Sequence, residues 1–327
     1  MIESKARITA IGAYVPEKKL TNFDLEIMVE TNDEWIVKRT GIKERRVAHE
    51  KEFTSDIACM SVRNLLERYD KTVEDVDMII VCTITPDFKT PSVASLVQSK
   101  LGIKHAGAID LNAACAGFTY GLHVANGLIT SGLHKKILVI GAETLSKVTD
   151  YTDRTTCILF GDGGGAVLVE YDEVQPSFLS YYLMSEGEKG NHLYCSDLSN
   201  HIFEEKINHS GKIVQNGREV YKWSVSTVPT GMQMVMEKAS VSLNEVDWFV
   251  PHSANLRMIE SICEKIEFPI EKTLYSLVDY GNTSSATIPL SLNKGLLEGN
   301  IQNGHKLLLY GFGGGLAQAG LLVKWNL

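Results

Sequence analysis

The chain alternates between short runs of consecutive apolar residues and longer segments whose apolar positions recur every three or four residues. MIIVC (78–82) and ILVIG (137–141) are unbroken apolar runs of strand length. Such runs predict strands covered on both faces, as in layered α/β proteins. Ala108–Leu111 and WFVP (248–251) read as further short strands. TSDIACMSVRNLLERY (54–69) has helical spacing, with Ile57, Met60, Leu65 and Tyr69 on one side. Thr90-Pro91-Ser92 reads as an N-cap followed by proline at the first helical position, and Gly102 as the stop of that helix. GFTYGLHVANGLITSG (117–132) predicts a helix despite its glycines, which imply close packing against another backbone. Strands alternating with helices predict α/β layers.

The pattern repeats. TVEDVDMIIVCT (72–83) aligns with SLNEVDWFVPHS (242–253), each a polar turn, then Val-Asp, then an apolar run. KILVIGAE (136–143) aligns with KLLLYGFG (306–313) at the same offset of 170 positions. Between these segments Asn112 falls on Asn282 and Cys115 on Ser285. A shared offset predicts duplicated halves, 1–171 and 172–327.

Length and charge narrow the function classes. The 327 residues suit two domains of ordinary size. Lys plus Arg is 32 against 40 Asp plus Glu, a formal net charge of −8, which argues against nucleic-acid binding through a global basic field. An acidic partner would need a local basic patch. The longest apolar runs, such as ILVIGA (137–142), are far shorter than a membrane span, and MIESKARITAIGAYVPEKK lacks a signal-peptide core. Cysteines 59, 82, 115, 157, 195 and 263 form no C-x-x-C pair and no metal-ligand spacing. These features predict a reduced, cytoplasmic protein.

Three residues stand where chemistry could occur. Cys115, in GAIDLNAACAGFTYG, lies at a strand-to-helix junction among small neighbours. The helix N-terminus there favours thiolate over thiol, although a small buried hydrophobe is the commoner use of cysteine. His252 follows the strand WFVP at the end where α/β proteins place sites, and its repeat counterpart is Cys82, so the strand does not require histidine. The alternative is a satisfied surface or core histidine. Asn282, in YGNTSSATIP, precedes a helix, although a turn or N-cap residue is the commoner use of asparagine there. The glycine runs GDGGG (161–165) and GFGGG (311–315) fit neither G-x-G-x-x-G nor a P-loop, so close backbone packing or an N–H aimed at an oxyanion explains them better.

NDEWIVKRTGIKERR (32–46), DLNAACAGF (110–118), TDRTTCILFGDGGGA (152–166), VPHSANLR (250–257) and YGNTSSA (280–286) together resemble β-ketoacyl-acyl-carrier-protein synthase III, the initiating ketosynthase of bacterial fatty-acid synthesis. The likeness spans nearly the whole chain. It implies the thiolase fold, a five-layer α-β-α-β-α arrangement of two similar halves. It implies Cys115, His252 and Asn282 as the catalytic set, with the N–H groups of Cys115 and Gly314 as oxyanion hole. Trp35 would stack on the adenine of coenzyme A, with Arg39 and Arg154 beside the nucleotide. Gly217, Asn255 and Phe312 would line the pantetheine tunnel. Ser253, Ala254, Asn255, Leu256 and Arg257 would contact the acyl carrier protein, with Lys222 and Arg218 completing a basic patch. The implied substrates are acyl-CoA and malonyl-acyl-carrier protein, with no metal or other cofactor, in a homodimer.

Three positions depart from the family pattern. Ser253 replaces the usual Gln after the histidine, and Ala317-Gln318-Ala319 replaces Thr-Trp-Gly. Thr90 stands where many members carry Phe before Pro-Ser, which implies a roomier acyl pocket accepting branched primers. A condensing enzyme of specialised metabolism with the same Cys-His-Asn set is the main alternative. A catalytically silent carrier-binding protein is the reading from a different class.

Overall fold

The computed structural model describes residues 3–327. The first sheet contains β1 (Ala6–Tyr14), β2 (Met78–Cys82), β3 (Gly107–Leu111), β4 (Lys136–Thr144) and β5 (Asp162–Tyr171), in the order β1-β5-β4-β2-β3. Strand β2 runs parallel to β3 and β4, whereas β5 is antiparallel to β4 and β1. The second sheet contains β6 (Phe178–Ser185), β7 (Trp248–Pro251), β8 (Lys306–Gly313) and β9 (Ala317–Lys324), in the order β7-β8-β9-β6. Its order and strand directions repeat the first sheet, with a single parallel bridge from Phe249 to Thr273 in place of the fifth strand.

The main helices are α1 (Asp33–Thr40), α2 (Thr54–Arg68), α3 (Val93–Lys100), α4 (Gly117–Thr130), α5 (Gly217–Ala239), α6 (Leu256–Lys265) and α7 (Thr287–Leu297). The two-residue period of the strands sorts their side chains between layers. Ile79 and Leu138 face Ile57, Val62 and Val97 of α2 and α3. Ile80 and Val139 point the other way, onto Phe118 and Leu122 of α4 and Ile288 and Leu292 of α7. Val250 and Leu309 reach that same central layer from the second sheet. Phe249 and Leu308 face Trp223, Met232 and Ile259 of α5 and α6. The result is the five-layer thiolase fold. The central strands of each sheet are covered on both faces, which is why β2 and β4 read as unbroken apolar runs.

The repeat reaches the backbone itself. Helices α4 and α7 are each preceded by a one-turn 3-10 helix, Ala114–Ala116 and Ser284–Ala286. The first residue of each turn, though not glycine, is left-handed, with φ of 44° at Ala114 and 49° at Ser284. Cys115 and Ser285 follow them at matched positions.

Some local expectations change. Met60 lies on the exposed side of α2, whose buried stripe is Ile57, Ala58, Ser61, Val62 and Leu65. The cap of α3 is Ser92 rather than Thr90. The Ser92 hydroxyl accepts from Ser95 N–H at 3.1 Å, and the Asp110 carboxylate takes the N–H groups of Val93 and Ala94. Of the glycines along α4, Gly121 is packed tightly, since an added Cβ would lie 2.6 Å from Cys82 Sγ. Gly127 has no neighbour within 4 Å of such a Cβ.

Gly141 of β4 sets how closely the two halves approach. A Cβ there would lie 2.5 Å from the Ser285 carbonyl oxygen, a backbone atom that cannot rotate away. Gly141→Ala should destabilise the protein by roughly 1–3 kcal/mol. Gly127→Ala should be neutral or stabilise by up to about 1 kcal/mol. Urea unfolding midpoints of the two variants check the contrast.

Candidate active site

Cys115, His252 and Asn282 all line one cleft of about 1830 Å³. Each stands beyond an element that fixes it. Cys115 sits in the turn between β3 and α4. His252 directly follows β7, and its N–H donates to the Tyr310 carbonyl at 2.8 Å, extending the pairing with β8. Asn282 donates its N–H to Leu159 O at 2.8 Å and accepts from Gly161 N–H at 3.0 Å. The first glycine run thereby anchors the asparagine: a Cβ on Gly161 would meet the Tyr280 carbonyl at 2.2 Å.

The second glycine run abuts the nucleophile. A Cβ on Gly313 would lie 2.7 Å from Cys115 Sγ. The N–H groups of Gly314 and of Cys115 itself are directed at the thiol and favour its ionisation, as does the Ser284 hydroxyl. Burial outweighs them and pushes the Cys115 thiol up to about 11. The expectation that the helix N-terminus favours thiolate over thiol is therefore corrected. The thiol is wrapped by protein, and desolvation of the charge exceeds what a partial dipole returns.

His252 is buried, and burial lowers its proton affinity to about 3, so the imidazole is neutral at physiological pH. Its Nδ1 is 2.8 Å from Thr287 Oγ1, which leaves Nε2 for a ligand. Phe312 packs edge-on to the ring at 5.4 Å and 81°. The Asn282 Oδ1 accepts from Ser284 N–H at 2.9 Å, an arrangement that fixes the amide and leaves its NH2 as donor.

Toward the mouth, Trp35 is flanked by two guanidinium groups, with Arg154 at 4.8 Å and Arg39 at 5.6 Å from the ring centroid. Gly217, Arg218, Ala254, Asn255, Arg257 and Phe312 also line the cleft. Asn255 caps α6 by accepting from Arg257 N–H at 3.0 Å and donates Nδ2 to the Arg39 carbonyl at 3.1 Å. Lys222 is exposed but lies outside the cleft and pairs with Glu219 at 2.8 Å. Leu256 is half-buried and packs over Gly41.

Ser253 is corrected as a carrier contact. It is fully buried, with its hydroxyl taking the Ser276 N–H at 3.1 Å, so it presents nothing at the surface. Gln318 is likewise buried, accepting from the Tyr310 hydroxyl at 2.7 Å. Thr90 is exposed and does not line the cleft of its own chain. The sequence reading overlooked Thr287, Ser284 and Glu143. The one available signal was a glutamate ending the otherwise apolar run ILVIGAE.

The model of the 3-oxoacyl-[acyl-carrier-protein] synthase III family matches residues 109–187, and that of its C-terminal part matches residues 236–325. A β-ketoacyl-[acyl-carrier-protein] synthase III 2 of Halalkalibacterium halodurans is 71% identical over 99% of this chain and 97% of its own. The chain belongs to the β-ketoacyl-acyl-carrier-protein synthase III family. Another synthase III 2, from Bacillus subtilis, is 58% identical over 99% of this chain and 100% of its own. The crystal structure of the Thermus thermophilus synthase III superposes with a TM-score of 0.94 at 43% identity, covering 98% of this chain and 99% of that one. These proteins match this chain along nearly its whole length, so the likeness is not confined to one half.

The buried neutral imidazole has a thermodynamic consequence. Unfolding restores His252 to about 6.5, so between pH 6.5 and pH 3 the unfolded chain binds the extra proton. Stability therefore falls as pH falls through that window. The His252 contribution lost between pH 6.5 and pH 5 should be roughly 2 kcal/mol. Urea titrations of the wild type and of His252→Gln at both pH values check this, the variant having the shallower dependence.

Proposed function

We propose that this chain carries out the initiating decarboxylative Claisen condensation, joining an acyl-CoA primer to malonyl-acyl-carrier protein. The products are β-ketoacyl-acyl-carrier protein, CoA and CO2. The supporting observation is one cleft that holds a buried thiol facing two backbone N–H groups, a neutral imidazole and an amide with free donors. Cys115 attacks the primer thioester and keeps the acyl group as CoA leaves. The N–H groups of Cys115 and Gly314 hold the tetrahedral oxyanion. His252, in the tautomer whose Nδ1 accepts from Thr287 Oγ1 and whose Nε2 carries the proton, and Asn282, through its NH2, then bind the malonyl thioester oxygen. They stabilise the enolate that forms as CO2 departs, and its carbon attacks the acyl-cysteine. This scheme uses no metal or resident cofactor; acyl-CoA is a substrate. Trp35, Arg39 and Arg154 receive the nucleotide of CoA, since an aromatic face and two cations suit adenine and phosphates. Arg257 and Arg218, exposed at the mouth, offer the local positive charge that an acidic carrier requires.

The same reading takes the chain as two halves, 1–171 and 172–327, working as a cytoplasmic homodimer. Strand β3 supports the dimer: it is an edge strand, and its Ile109 is 40% exposed. A partner's β3 would continue the sheet and cover that residue. Among the described residues no helix is long and apolar enough to cross a membrane.

The half-reactions should separate. Cys115→Ala should abolish the acyl-enzyme seen by intact mass spectrometry. His252→Ala or Asn282→Ala should lose condensation by roughly 100-fold or more while still acylating Cys115, because each removes a donor to the enolate. Equal loss of both steps would contradict this division of roles.

Primer choice is the finer part of the proposal. In a dimer Thr90 would border the partner's acyl pocket, where a small side chain leaves room for branched four- and five-carbon groups. Each methylene that gains apolar cover is worth about 0.8 kcal/mol. Wild type should prefer a branched five-carbon acyl-CoA to acetyl-CoA, and Thr90→Phe should reverse the ratio of kcat/KM. An unchanged ratio would remove Thr90 from the pocket.

A further inference from the structure

Arg45 is wholly buried and has no part in the condensation described above. Its strand, Glu44–Arg46, pairs with Lys19–Thr21 in a small two-stranded ribbon. Among the described residues it forms no ion pair, and its neighbour Glu44 pairs instead with Lys19 and Arg46. Burial lowers its pKa to about 10, which still leaves a cation at neutral pH. A buried cation with no counter-ion is unfavourable, and only its hydrogen bonds offset that.

The guanidinium fork spans two separate stretches of chain. Nη1 donates to the Leu20 carbonyl at 3.2 Å and to Asn22 Oδ1 at 2.9 Å, and Nη2 donates to the Ile158 carbonyl at 2.7 Å. Each stretch leads to one part of the cleft. Asn22, also fully buried, donates Nδ2 to Asp33 Oδ1 at 2.8 Å and to the Ile42 carbonyl at 2.9 Å. Asp33 opens α1, which carries Trp35 and Arg39. Directly after Ile158, the Leu159 carbonyl takes the Asn282 N–H, and Gly161 N–H donates to the Asn282 carbonyl. The Arg45 Cβ packs against Gly161 and Gly281, since a Cβ on either would lie 3.0 Å from it. Three motifs far apart in sequence, 32–46, 152–166 and 280–286, therefore meet at one side chain that does not itself line the cleft.

We propose that Arg45 is a positioning residue that holds the Asn282 amide and the Trp35–Arg39 platform in fixed relation across the cleft. It touches no reacting atom. By holding Ile158 it fixes the segment to which Asn282 is hydrogen-bonded through both its N–H and its carbonyl, and so aims the amide at the enolate oxygen. By holding Asn22 it fixes the first residue of α1, and with it the ring and guanidinium that receive the nucleotide of CoA. Positioning also accounts for arginine at this site: a planar fork reaches two stretches at once, which the single ammonium of lysine does not reproduce. Cys115 is carried by a different turn, between β3 and α4, and none of these bonds reaches it. The network therefore bears on CoA docking and on decarboxylation, and leaves the reactivity of the thiol alone.

The inference rests on the roles proposed above for Asn282 and Trp35. Arg45→Lys keeps the charge and loses the fork. At a temperature where circular dichroism shows the variant folded, condensation by pre-acylated enzyme should fall by on the order of tenfold, since a small displacement of an aligned group lowers the rate steeply. KM for acyl-CoA should rise several-fold, while alkylation of Cys115 by iodoacetamide keeps its wild-type rate. Asp33→Ala cuts only the branch to α1 and should show the rise in KM alone. A merely structural Arg45 would leave the folded variant with wild-type kinetics, or would lower condensation and alkylation together at unchanged KM. Either pattern would overturn the inference. Should Arg45→Lys fail to fold, Asp33→Ala decides, and an unchanged KM there overturns the inference. A wild type that neither acylates Cys115 nor condenses would remove the proposed function and this inference with it. An active wild type with unmoved variants would remove the inference alone.

Discussion

The two halves meet where Gly141 of β4 presses on the carbonyl of Ser285, and the site depends on that close approach. Helices α4 and α7 are both enclosed between the sheets, so the turns that begin them lie in the interior rather than at a surface. Each turn opens with a left-handed residue, Ala114 or Ser284, a conformation disfavoured for any side chain and held here by surrounding packing. The turns present Cys115 from one half and the Ser284 hydroxyl from the other toward the same interior. A side chain at Gly141 would force the halves apart, and one at Gly313 would displace the thiol.

Burial then governs the electrostatics. Cys115, His252 and Glu143 are all shielded from water, and desolvation is the largest influence on each. All three are pushed toward their neutral forms. A neutral imidazole suits a donor to a developing enolate, because it gives an N–H without a fixed cation that would trap the anion. A neutral thiol is the weaker nucleophile, so burial opposes the ionisation of Cys115. The positive helix end and two N–H groups act in the favourable direction, but as partial charges they cannot offset the loss of hydration.

The mouth follows different rules. Trp35, Arg39, Arg154, Arg218 and Arg257 line an opening that remains in contact with solvent, on a chain whose net charge is −8. Charge is thus segregated: a basic rim over an acidic body, with Arg154 and Arg257 in no ion pair among the described residues. Fixed positive groups at such a rim attract phosphates and acidic partners over about a Debye length, roughly 8 Å at physiological salt.

The apolar runs and the 170-residue offset were enough to indicate the layered α/β fold, and the resemblance carried by the motifs around Cys115, His252 and Asn282 picked out the three residues in the cleft. They sufficed because a strand covered on both faces must be apolar throughout, and because duplicated sequence repeats its pattern. Helix faces and caps were less legible. Met60 and Thr90 were misassigned because local pattern cannot tell which neighbour a turn of helix meets, and Asp110 caps α3 from a different strand. The depth of Ser253 and Gln318, the protonation of Cys115 and the meeting of Ser285 with Glu143 belong to tertiary structure alone. Each depends on how much water is excluded by residues distant in the chain, as Ser285 and Glu143 lie 142 positions apart. Burial of that kind leaves no mark on the sequence around the residue it affects.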